Sequence, residues 1–184
     1  MDGMEGSANQ TGRKTMTEKE IRFLVLMGVS GSGKSTIGKA LSEKLGWAFF
    51  DGDNYHPPEN VSKMGGGVPL DDSDRAPWLE ALHDLIAACL KAGKPGILAS
   101  SALKETYRER LVKDTSDVQF VYLKGDFDLI WSRMAARKGH YMKEEMLRSQ
   151  FDTLEEPSDA WEVSIDQPVD EIVQDITERL EHES

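Results

Sequence analysis

The chain has 184 residues and a formal net charge of −11, from 22 Lys and Arg against 33 Asp and Glu. That length suits one domain with its own core, and the charge excludes nucleic acid and anionic membrane as natural partners while leaving room for a polyanionic small molecule held by a local cluster of cations. A single cysteine, Cys89, excludes an internal disulfide framework and fits a reducing, cytoplasmic setting, and no apolar run is long enough to cross a bilayer.

Residues 1–19 are polar, carry several Gly and Thr, and lack the apolar core of a signal peptide, so they read as a disordered leader to a single domain over 20–184. Asp2, Glu5, Glu18 and Glu20 also argue against a transit peptide. Ile21 to Met27 is too short and too uniformly apolar for a surface helix and predicts a central strand buried on both faces.

That strand runs directly into Gly28-Val29-Ser30-Gly31-Ser32-Gly33-Lys34-Ser35-Thr36, which fits the P-loop pattern of Gly, four residues, Gly-Lys and then Ser or Thr. A loop of this kind between strand and helix aims successive backbone N–H groups at one point, where the helix N-terminus adds partial positive charge. The point binds phosphate. Gly28, Gly31 and Gly33 allow the close backbone approach that a Cβ would forbid, and Ser30, Ser32 and Thr36 complete the cradle. Lys34 is expected to reach the β and γ phosphates and Ser35 to ligate a metal, which makes ATP and Mg²⁺ the expected donor and cofactor.

Beyond the loop, Ile37, Ala40, Leu41 and Leu45 recur at helical spacing and end at Gly46. Ala48 to Phe50 predicts a second strand that opens into Asp51-Gly52-Asp53-Asn54-Tyr55-His56. Pro57 and Pro58 start a short helix stopped by the glycines at 65, 66 and 67. Asp71 to Asp74 supplies cap and first-turn carboxylates for a longer helix striped by Trp78, Leu82, Leu85, Ile86, Cys89 and Leu90. Gly96 to Ser101 predicts a third strand, Leu103 to Val112 a helix, and Val118 to Leu123 a fourth strand. Asp126 caps a helix running toward Arg137. The polar, basic stretch that follows reads as a lid over about 133–151. Trp161 to Ile165 predicts a fifth strand, and Pro168 the N1 position of a closing helix. Strands alternating with helices in this way imply an α/β fold of three layers, a five-stranded parallel sheet with helices on both faces and a small helical lid.

Ligands of such sheets sit beyond the strand C-terminal ends. There Asp51 and Asp53 alternate across a strand end. One is expected to orient or deprotonate an acceptor hydroxyl while either helps hold the metal's water shell; Asp53 is favoured as the base and Asp51 for the metal. In the lid, Arg133 and Arg137 fall four apart, hence on one helix face, and are suited to clamp phosphate, Arg137 as a catalytic cation and Arg133 on the nucleotide.

These residues resemble the gluconate kinases of the P-loop small-molecule kinase group, close relatives of shikimate kinases. The likeness runs through Val25 to Ser35, Asp51-Gly52-Asp53, His56-Pro57, Lys63-Met64, Asp74-Arg75, Pro77-Trp78-Leu79, Ser101-Ala102-Leu103-Lys104, Tyr107-Arg108, Arg137-Lys138-Gly139-His140, Gln150-Phe151 and Thr153-Leu154-Glu155, and leaves out only the N-terminal leader. The resemblance implies transfer of the ATP γ-phosphoryl to the 6-hydroxyl of D-gluconate, and dimerisation, which is common among such proteins. A sugar acid presents one carboxylate and a row of hydroxyls. Arg75, Lys104 and Arg108 are candidates for the carboxylate, with Asp53, His56, His140 and Gln150 for the hydroxyls. The position after the third strand, where many P-loop proteins carry a metal-binding Asp, holds Ser100 and Ser101, so the metal must lean on Ser35 and the Asp51/Asp53 pair. Two alternatives stand beside this reading. Another small-molecule kinase of the same fold differs only in its acceptor, and a guanine-nucleotide switch is disfavoured because no Asn is followed by Lys.

Overall fold

The computed structural model describes residues 19–113, 115–137, 139 and 142–183, so all but the last residue of the expected leader lies outside it. β1 (Phe23–Met27) is wholly buried, as a uniformly apolar strand must be. Its alternating side chains feed two separate cores: Leu24 and Leu26 enter one, while Phe23, Val25 and Met27 enter the other.

β1 lies at the centre of a five-stranded sheet, among the described residues, in the order β2-β3-β1-β4-β5. The other strands are β2 (Ala48–Asp51), β3 (Gly96–Ala99), β4 (Val118–Lys124) and β5 (Trp161–Ser164). Every pairing is parallel. Parallel strands require crossovers, and the helices that make them cover both faces. α1 (Lys34–Leu45) and α7 (Val169–His182) supply Ile37, Leu41, Ile172 and Ile176 to the first core. α3 (Asp72–Lys91) and α4 (Glu105–Val112) supply Trp78, Leu82, Ile86, Tyr107 and Leu111 to the second. The expected three-layer α/β architecture is thus observed.

Local chemistry sets the boundaries. Asp71 and Asp74 form a reciprocal capping box at the start of α3, and Gly46 ends α1 in the left-handed conformation. α4 begins at Glu105 rather than Leu103, because Ala102 has φ +43 and Lys104 is extended. Pro168 stands at the N-cap of α7 rather than at N1. α2 (Pro58–Gly65) follows a 3-10 turn over Gly52–Tyr55. The basic insert folds around α5 (Phe127–Ala135) and α6 (Glu144–Thr153).

Leu82 is fully buried under the sheet. Leu82→Ala is expected to cost about 2–5 kcal/mol, read as a lower urea midpoint; a change below about 0.5 kcal/mol, the range of an ordinary surface substitution, would contradict its place in the second core.

Candidate active site

β1 delivers the chain into a turn that only glycine-rich backbone can make, with Gly31 at φ +78 and Gly33 at φ +93. Gly33 is the N-cap of α1, and no side chain caps that helix and no acidic residue stands in its first turn. The first-turn N–H groups are therefore left for an anion. Lys34 Nζ donates to the carbonyls of Gly28 and Val29 at 3.0 and 2.9 Å. Burial pushes its pKa down to about 8, against the opposing pull of the Asp53 and Asp51 carboxylates.

Across the loop, Ser35 Oγ lies 3.4 Å from Asp51 Oδ2. A hydroxyl beside a carboxylate is a hard-oxygen pair of the kind Mg²⁺ uses together with phosphate oxygens and water. Among the described residues no group of three or more His, Cys, Asp or Glu could hold a metal ion. Two buried hydroxyls, Ser32 Oγ on the P-loop and Ser100 Oγ after β3, have no hydrogen-bond partner among the described residues.

Asp51 Oδ1 accepts the Asp53 N–H at 3.0 Å and so caps the 3-10 turn. The Asp53 carboxylate engages no hydrogen bond among the described residues. The turn is fixed from below by Trp78, whose Nε1 donates to the Gly52 carbonyl at 2.8 Å. A Cβ on Gly52 would lie 2.7 Å from the Ala99 carbonyl oxygen, so β2 and β3 meet here without room for a side chain.

His56 stacks on Trp78 with ring centroids 4.3 Å apart and planes 14° from parallel. Its Nδ1 faces Asn60 Nδ2 at 3.3 Å, and that amide also donates to the Asp74 carbonyl at 2.8 Å. An amide nitrogen can only donate, so Nδ1 accepts and the ring proton sits on Nε2. Burial lowers the His56 pKa below its ordinary value, outweighing Asp53, which raises it, while Arg75 lowers it further. At neutral pH the ring is a neutral donor.

Arg75 and Lys104 come together over Tyr107. The Arg75 guanidinium carbon lies 5.6 Å and Lys104 Nζ 5.4 Å from the ring centroid. Arg75 Nη1 donates to the Tyr107 hydroxyl at 3.2 Å, that hydroxyl donates to Asp72, and Lys104 Nζ lies 3.3 Å from Asp72 Oδ1. Two cations, near the start of α3 and α4, thus border the same Tyr107 ring, a chemistry suited to a carboxylate ligand.

Arg108 does not join them. It is 7% exposed and donates to the carbonyls of Ala102, Leu103 and Glu155 at 2.8, 3.1 and 2.8 Å. Burial disfavours leaving its charge unbonded, and the turn at Ala102 presents the carbonyls that satisfy it. Arg108 thus braces the segment that carries Lys104. Gln150 also departs from expectation: its amide faces Ser30 of the P-loop rather than the acceptor side. Arg133 is exposed in the last turn of α5, and Arg137 is exposed beyond the helix end at Ala135, so the two do not share one helix. His140 lies outside the described residues.

Asn60, Asp72, Trp78 and Tyr107 therefore shape the site without having been expected as site residues. Trp78 reads in the sequence as a member of an apolar stripe and of the stretch Pro77-Trp78-Leu79 that carries the resemblance, and the indole bond to Gly52 depends on a contact that sequence spacing does not encode.

The family model described as "Shikimate kinase" matches residues 30–181. The chain is 46% identical over 177 residues to a probable gluconokinase of Mus musculus, covering 85% of this chain and 96% of that protein. It is 47% identical over 161 residues to the thermoresistant gluconokinase of Escherichia coli K12, covering 85% and 92%. A gluconokinase crystal structure from Sinorhizobium meliloti 1021 superposes with a TM-score of 0.80 at 39% identity, over 89% of this chain and 94% of that one.

Proposed function

The chain belongs to the gluconokinase family of P-loop kinases, and from that premise we propose that it transfers the γ-phosphoryl of ATP to the 6-hydroxyl of D-gluconate, giving 6-phospho-D-gluconate and ADP. It is a phosphotransferase, an ATP-dependent kinase acting on gluconate. What supports the residue roles is that a phosphate cradle follows β1, the Asp53 carboxylate, without a hydrogen bond among the described residues, follows β2, and Lys104, after β3, borders Tyr107 together with Arg75.

In this reading the P-loop N–H groups and Lys34 hold the ATP phosphates. Ser35 and Asp51 would hold Mg²⁺, which when bound neutralises charge on the phosphate oxygens. Arg75 and Lys104 take the gluconate carboxylate, and His56 Nε2–H donates to a hydroxyl. With the acid anchored at one end, the terminal alcohol is carried toward the P-loop. Asp53 accepts the 6-hydroxyl proton as that oxygen bonds to the γ-phosphorus, and the bond from phosphorus to the β,γ-bridging oxygen breaks to release ADP. Arg133 and Arg137, presented by a lid over about 133–151, offset the charge spread over the transferring phosphoryl oxygens. The site supplies cations to two anions and a base to one alcohol.

The cytoplasm is the compartment we infer, supported by the single, unpaired Cys89. No helix of the described residues is long and apolar enough to cross a membrane.

Product formation coupled to oxidation of 6-phosphogluconate tests the reading. Turnover is expected on gluconate, with shikimate and nucleoside monophosphates at background; turnover on either of those, with none on gluconate, would overturn the acceptor assignment.

A further inference from the structure

Gln150 lies on α6, 120 residues from the P-loop, yet both ends of its amide are committed to one residue there. Its Oε1 accepts the Ser30 N–H at 2.7 Å and its Nε2 donates to Ser30 Oγ at 2.9 Å. The adjoining helix grips the next residue: a Cβ on Gly31 would lie 2.6 Å from Met134 Cγ of α5, so this side chain packs directly on the loop backbone. α6 is itself firmly seated. Leu147 is fully buried, Phe151 meets Phe127 edge-on at 5.7 Å, and the Arg148 guanidinium carbon lies 4.2 Å from the Phe127 ring centroid. Two consecutive P-loop residues are thus held by α5 and α6.

The consequence for phosphate binding follows from which donors are left. The Ser30 N–H is already engaged by Gln150, and the Ser32 N–H is directed to the Val29 carbonyl at 3.3 Å. The donors left to a phosphate include the Gly31 N–H and those in the first turn of α1, which no side chain caps. Anion binding by a loop depends on these N–H groups being aimed before the ligand arrives, because ordering them afterwards subtracts from affinity.

We propose that Gln150 is a positioning residue for the nucleotide site: by clasping both polar groups of Ser30 it holds the outer turn of the P-loop in the conformation that aims the remaining N–H groups at phosphate. The proposal rests on the reading of the P-loop as the ATP site, and it replaces the expectation that Gln150 reads hydroxyls of the acceptor. Two hydrogen bonds of ordinary strength are at stake.

Titration calorimetry with MgADP, beside gluconate kinetics, tests it in five proteins: the unsubstituted chain, Gln150→Ala, Gln150→Met, Ser30→Ala and the Ser30→Ala/Gln150→Ala double variant. Gln150→Ala is expected to weaken MgADP binding about tenfold while the gluconate KM stays within about twofold, the scale of no lost contact. Gln150→Met, which keeps the length and packing of the side chain but neither hydrogen bond, is expected to behave like Gln150→Ala. In a Ser30→Ala background, where one of the two bonds is already gone, Gln150→Ala is expected to cost only about threefold. Recovery of MgADP affinity in Gln150→Met would show a packing role and overturn the proposal. A rise of about tenfold in gluconate KM with MgADP unchanged would overturn it in favour of acceptor binding, and full additivity with Ser30→Ala would overturn the route through Ser30. Failure of the unsubstituted protein to bind MgADP would overturn the nucleotide-site reading beneath it, and is distinguishable because no substitution is involved.

Discussion

Lys34→Ala is expected to lower kcat by about 10²-fold or more. The ammonium is the one cation of the P-loop itself, and burial has already pushed its pKa down to about 8. A charge partly removed from water interacts more strongly with a phosphate brought beside it than a surface lysine would, and the transferring phosphoryl carries its charge on the oxygens that Lys34 is expected to reach. The substitution also removes the donor to the Gly28 and Val29 carbonyls, so thermal unfolding should be recorded alongside. Single-turnover rates at saturating ATP separate the two effects. A variant that folds normally and turns over within about threefold of the parent, too small a change for a lost charge contact in the transition state, would contradict the P-loop assignment.

Asp53→Asn is the second large effect. The carboxylate stands at the end of β2, on a turn whose backbone is fixed by Asp51 and Trp78, so the change of one oxygen to an amide leaves the scaffold in place. General-base removal costs about 10²–10⁴-fold, and the loss is expected in kcat with MgADP affinity within about threefold, because the base acts only as the transition state forms. The opposite pattern, normal turnover with weak MgADP binding, would assign Asp53 to the metal and leave Asp51 as the candidate base.

The parts of the molecule that were legible in the sequence are those set by local chemistry. The uniform apolar run ending at Met27 forecast a strand buried on both faces, and the glycine spacing after it forecast the phosphate loop. Asp71 and Asp74 forecast a helix cap, and alternation of strands with helices forecast the sheet. The Asp51/Ser35 pairing was legible too, because both residues sit at the ends of recognisable elements. What escaped were contacts between residues far apart in the chain. Arg108 and Lys104 look equivalent as cations, and only the fold reveals that the turn at Ala102 offers carbonyls to the first while the second stands beside Tyr107. Gln150 looked like a reader of hydroxyls because nothing in spacing relates it to Ser30. The helix carrying Arg133 stops at Ala135, two residues short of Arg137, a boundary that a four-residue spacing cannot supply.

The central claim is that one site joins ATP to the terminal alcohol of gluconate. Phosphorus NMR of the product, recorded without proton decoupling after incubation with ATP, Mg²⁺ and gluconate, tests this most directly, since a phosphate on a carbon bearing two protons is split into a triplet and one on a carbon bearing a single proton into a doublet. The account predicts a new monoester triplet growing in step with ADP. A doublet would contradict transfer to the 6-hydroxyl, and ADP appearing with inorganic phosphate alone would contradict gluconate as the acceptor.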